Sequence, residues 1–122
     1  MRLVELEPDF IGKAVGRDDG TDAASWERLP SVDGAQGLIF LCPTCYQANG
    51  GNVGTHAIVC WLSEGRNAQA VPAHWNPGPG RWLIVGDTFE TLTLNAHGAR
   101  SVLLRGGCNA HFHITNGEVT DA

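Results

Sequence analysis

From Gly37 onward the chain is built of short apolar runs broken by glycine, proline and asparagine, the punctuation of an all-β protein. Leu38-Ile39-Phe40-Leu41 is apolar at every position and predicts a buried strand that delivers Cys42 to its end. His56 to Leu62 predicts a second strand. Its period of two puts His56, Ile58, Cys60 and Leu62 on one face and Ala57, Val59 and Trp61 on the other. Both faces are largely apolar, so this strand belongs inside a sheet rather than at its edge. Further strands are expected at Trp82 to Val85, Thr91 to Leu94 and Ser101 to Leu104. The intervening Asn76-Pro77-Gly78-Pro79-Gly80 cannot join a sheet interior, because proline has no donor. Ala110 to Thr115 runs into Asn116-Gly117, the preferred pair for a type I′ turn, and Glu118-Val119-Thr120 returns as the second arm of a hairpin.

Residues 1 to 36 lack this pattern. Phe10 to Val15 suggests a helical turn, and Asp22 is placed to cap a short helix that Pro30 stops after about Leu29. The Asp18-Asp19-Gly20-Thr21-Asp22 segment between them has neither the twelve-residue spacing nor the terminal glutamate of a calcium loop, and is expected to be a solvated turn. The expected architecture is thus a small antiparallel β domain over residues 37–122, clasped by zinc. A short helical or irregular arm over residues 1–36 precedes it within one domain overall. A chain of 122 residues that is 43% hydrophobic fits one compact core and no more.

Charge narrows the partners. The formal net charge is -5 with a single lysine, Lys13, so no face can form the basic stripe that a phosphate backbone requires, and nucleic acid is not expected. Met1 to Glu7 alternates charged and apolar residues and is not the apolar core of a signal peptide, and no later segment approaches a membrane span. The expectation is a non-secreted chain in a reducing compartment, where closely paired cysteines are metal ligands or redox groups more often than disulfides.

Two motifs fit that expectation. Cys42-Pro43-Thr44-Cys45 and Cys108-Asn109-Ala110-His111 are separated by 62 residues and together offer three thiolates and one imidazole to a tetrahedral zinc. The expected ligands are Cys42, Cys45, Cys108 and His111. Such a closed site is structural, and its binding free energy, on the order of 10 kcal/mol, becomes folding free energy. The chain has a use for it, because sixteen glycines raise the entropic cost of ordering the backbone and a clasp across a long loop offsets part of that cost.

His113, on the same strand face as His111, and His56 are alternative ligands. A shell left open at one position would acidify a bound water to a pKa near 7 and make a small hydrolase, with His56 near the metal and Asp87 or Glu118 as base. Glu64 and Glu90 are further carboxylates, but none stands at a recognised spacing from a ligand. There is no His-Glu-x-x-His, and no His-x-Glu of the deaminase type. A redox Cys-x-x-Cys would open a helix in a βαβ unit, whereas this one ends an apolar strand. Cys60 fits a small buried hydrophobe. Trp26, Trp61, Trp75 and Trp82 are expected in the core, the alternative being a ligand pocket with Trp75 and Trp82 on either side of the Pro-Gly loop.

The stretch from Asp33-Gly34-Ala35-Gln36-Gly37 through Cys42-Pro43-Thr44-Cys45, Gly54-Thr55-His56, Pro77-Gly78-Pro79-Gly80-Arg81-Trp82, Leu92-Thr93-Leu94 and Gly107-Cys108-Asn109-Ala110-His111-Phe112 to Asn116-Gly117 resembles a family of short, uncharacterised proteins of tailed bacteriophages and prophage regions, a domain of unknown function. The resemblance covers roughly residues 33 to 120. It implies a β-rich domain with zinc at Cys42, Cys45, Cys108 and His111, encoded by a phage or its remnant. It also implies a role as a virion accessory or assembly component, in the particle or the host cytoplasm, contacting other phage or host proteins or further copies of itself.

Overall fold

The computed structural model describes residues 1–17, 23–63, 66, 70–72, 81–94, 101–104 and 107–122. The apolar run before Cys42 forms β3 (Gly37–Leu41), which pairs antiparallel with β4 (Ala57–Leu62) in the register Leu38↔Cys60 and Phe40↔Ile58. Beyond β3 lie β1 (Asp9–Gly16) and then β2 (Ala23–Leu29). On the far side of β4 the short β5 (Arg81–Trp82) runs parallel, completing a five-stranded sheet in the order β2-β1-β3-β4-β5. A second, three-stranded sheet orders β6 (Val102–Leu103), β7 (His111–Thr115) and β8 (Glu118–Asp121). The all-β reading holds, with one α-helix among the described residues, α1 (Pro43–Asn49), inserted between β3 and β4.

Side-chain alternation along β4 is as expected. Ile58, Cys60 and Leu62 face the main core, while Trp61 and Val59 join Ile11, Ile39 and Val71 in a smaller cluster on the other side of the sheet. The two sheets meet through Phe40 of β3 and Phe112 of β7, whose rings sit edge to face with centroids 6.0 Å apart. The hairpin β7–β8 turns at Asn116 and Gly117, both at positive φ (47° and 75°), as a type I′ turn demands.

The N-terminal expectation is corrected. Residues 10–15 and 23–29 are strands, not helices. Phe10 and Ile11 are consecutive yet buried on opposite faces, one in each cluster, which only a period of two permits. The hairpin they begin is bulged between Gly12 and Val15, and that break hides the alternation from the sequence. Nor is the segment an arm. A 3₁₀ turn over Leu3–Leu6 buries both leucines completely. Leu3 N–H donates to Gly117 O and Val119 N–H to Met1 O, which fastens the chain start to the hairpin turn. Of the strands expected over 82–85 and 91–94, only Trp82 lies in β5, and the rest reduces to a reciprocal bridge between Val85 and Thr93. The Asp18–Asp22 turn, Trp75 and the Pro-Gly run lie outside the described residues.

Candidate metal centre

The Cys-x-x-Cys turn is made by the junction of β3 and α1. Cys42 is extended (φ -61°, ψ 122°) and caps the helix, Pro43 supplies the preset φ of the first helical residue, and Tyr46 N–H donates to Cys42 O at 2.9 Å. Cys45 comes round on the first turn. The motif therefore does open a helix, contrary to expectation. Its strands β3 and β4 are nevertheless antiparallel, so the unit is not βαβ. After α1 the backbone reverses through Gly50 (φ 69°), and Thr55 Oγ donates to Gly51 O at 2.7 Å, holding the loop that returns to His56.

Strand register then selects the fourth group. The ladder that pairs Leu41 with Ala57 continues one step further, and Cys42 N–H donates to His56 O at 2.9 Å. His56 Nδ1 lies 3.3 Å from Ala57 O. A carbonyl can only accept, so this nitrogen is the N–H and Nε2 carries the free lone pair, directed at Cys108 Sγ 3.5 Å away. Cys108 arrives from the other sheet on the loop between β6 and β7, set between two left-handed residues, Gly107 (φ 58°) and Asn109 (φ 52°), and its Sγ lies 3.7 Å from Cys42 Sγ. The ligand atoms of Cys42, Cys45, His56 and Cys108 all lie within 4.8 Å of one another, a Cys3His cluster able to hold one metal ion.

Three of the four expected ligands are thus together, and the histidine is corrected from His111 to His56. Ala110 is buried and Phe112 points into the core, which turns His111 outward on β7, where its Nε2 lies 2.7 Å from Ser101 Oγ. His113 lies on the same outward face, also away from the cluster, and its buried Nδ1 has no hydrogen-bond partner among the described residues. The sequence does hold a signal for His56. Like Cys42 it lies one residue outside an apolar run, and antiparallel pairing of those runs sets the two opposite each other. The carboxylates proposed as bases are engaged elsewhere: Asp87 pairs with Arg66 at 2.6 Å and Glu118 with Arg2 at 3.9 Å, while Glu90 is exposed and Glu64 lies outside the described residues. Cys60 is fully buried, and desolvation pushes its thiol far up, as suits a core hydrophobe. Trp61 is buried too, with the partly exposed Trp26 edge-on at 5.9 Å.

The thiols of the cluster affect one another. Cys108 is lowered to about 7, first by its hydrogen bond with His56 and then by that from the Ala110 N–H, whereas desolvation, reinforced by its two cysteine neighbours, raises Cys45 to about 11. Without a cation the surroundings therefore favour a negative sulfur at Cys108 and oppose one at Cys45. A bound cation would remove that opposition, because thiolates so close together would then share a positive centre.

Fold and site together define a small all-β domain with a Cys3His centre between its two sheets. Neither a protein-family model, nor a curated protein, nor a solved structure matches the chain. No helix among the described residues is long and apolar enough to cross a membrane.

Proposed function

We propose that the chain is a zinc-clasped interaction module in which the metal is structural. One observation carries this reading. A tetrahedral zinc with bonds of about 2.3 Å to sulfur and about 2.0–2.1 Å to nitrogen has edges of about 3.8 Å between sulfurs and about 3.6 Å between sulfur and nitrogen. The spacings here are 3.7 Å for Cys42 to Cys108 and 3.5 Å for Cys108 to His56. The thiolate-rich donor set favours zinc over harder cations. Four protein ligands fill a tetrahedron and leave no position for a nucleophilic water, which argues against the hydrolase alternative.

The clasp is placed where a small domain needs one. Cys42, Cys45 and His56 belong to the β3–α1–β4 unit and Cys108 to the second sheet, so the ion joins the sheets across their core. For the setting we propose a phage-derived virion accessory or assembly component that contacts other phage or host proteins, supported by the resemblance over residues 33 to 120. Metal analysis of the purified protein tests the clasp, with one zinc per chain expected and a metal-free folded protein contradicting it. Mass spectrometry of purified particles tests the setting, and absence of the chain from particles would contradict a virion role.

A further inference from the structure

The sulfurs of the centre differ in access. Cys42 is fully buried beneath the β3–α1 junction, whereas Cys108 is partly exposed on its loop, and their Sγ atoms are 3.7 Å apart. Closing that gap to a disulfide of about 2.05 Å asks for a movement of less than about 2 Å. The loop bearing Cys108 has solvent on one side, while Cys42 is locked by the helix cap and the bond to His56 O. The mobile partner is therefore the exposed one.

We infer that Cys108 and Cys42 are a site of hydroperoxide modification, at which the metal clasp is replaced by a disulfide joining the same two sheets. The inference rests on the metal reading for the release of the ion, and on sulfur geometry alone for the connectivity. Cys108 thiolate attacks one oxygen of the peroxide. An S–O bond forms, the O–O bond breaks, and hydroxide leaves and is protonated by the buffer acid, giving Cys108 sulfenic acid. Cys42 thiolate then attacks that sulfur, forming the S–S bond and expelling a second hydroxide, which is also protonated. Two sulfurs lose two electrons in total, and the peroxide gains them to become two molecules of water. Cys45 and His56 alone remain as ligands, and the ion departs.

Connectivity decides the consequence. A Cys42–Cys108 bond keeps the sheets tied after the metal has gone. A Cys42–Cys45 bond, confined to one end of α1, would leave them untied. Cys60 is buried outside the cluster and stays reduced throughout.

The test treats the zinc-loaded full chain with hydrogen peroxide, measures released zinc with a chromogenic chelator and maps disulfides by mass spectrometry of non-reduced peptides. The expected result is one zinc released per Cys42–Cys108 linkage, with the near-ultraviolet circular dichroism of the tryptophans retained. Cys45→Ser should still form the linkage, and Cys42→Ser should stop at a Cys108 sulfenic acid that dimedone traps. Should either variant misfold, the map of the unsubstituted chain decides. A Cys42–Cys45 linkage, a Cys108 sulfinic acid without a disulfide, or sulfurs inert to excess peroxide overturns the inference. A chain that binds no zinc yet makes the Cys42–Cys108 bond overturns the metal reading instead and leaves the connectivity standing.

Discussion

His56 is oriented toward the cysteine cluster by its own backbone neighbour. Because Ala57 O accepts from the Nδ1–H, Nε2 is left to face the sulfurs, and ring orientation and tautomer are set together. His56→Ala should therefore lower zinc affinity by more than the about 10–100-fold that losing an outer-shell partner costs, as read by competition with a chromogenic chelator. His111→Ala, which removes only a contact to Ser101, should leave affinity unchanged. The reverse pattern would restore the local Cys-x-x-His pairing. The metal-free thiols supply a second residue-scale prediction. Thiolate absorbance of the apoprotein should rise in separate steps, the first near pH 7 from Cys108 and a later one near pH 11 from Cys45. Folding lowers Cys108 from 9.0 to about 7, so its contribution to stability is fully present above pH 9 and is lost as the pH falls through 7. Cys108→Ser should abolish the first step, and a single step near pH 9 in the parent chain would contradict the described environment.

The elements that could be recognised from the sequence are those whose local pattern matches their tertiary role. β3 and β4 are buried on both faces and appear as apolar runs, and the β7–β8 hairpin is announced by Asn116-Gly117. β1 and β2 escaped for the opposite reason. β1 is bulged, with Lys13 at φ 51° inside it, and Ala24 to Arg28 of β2 are exposed on an edge strand, so neither shows clean alternation. The metal site divides in the same way. The cysteines are spaced by a local turn and could be found. The histidine depends on the register between two strands separated by a helix, which no short motif encodes. Because residues 1–36 are integral to the fold, Leu6→Ala should cost about 2–5 kcal/mol, measured as a lower denaturant midpoint at unchanged slope. A loss within about 0.5 kcal/mol would mark the segment as an appendage. Gly117→Ala should also destabilise, since its φ of 75° disfavours a side chain and the added Cβ would strike Glu90 O.

At the scale of the molecule, two sheets share one core, with aromatic packing of Phe40 on Phe112 and the Cys3His centre spanning the same divide. Structural zinc contributes about 10–16 kcal/mol of apparent binding free energy, comparable to or larger than the about 5–15 kcal/mol that separates folded from unfolded domains. Chelation should therefore lower Tm steeply or unfold the chain outright, and re-added zinc should restore it. An unchanged Tm after complete removal would mean the clasp bears no folding energy. Affinity should weaken in acid, because the ligands bind as thiolates and neutral imidazole. The most direct measurement is X-ray absorption spectroscopy at the zinc edge of the purified protein. Three sulfurs at about 2.3 Å and one nitrogen at about 2.0–2.1 Å are expected, a set lost in His56→Ala and kept in His111→Ala. An oxygen in the shell, or a shell that changes with His111 and not with His56, would contradict a closed Cys3His clasp.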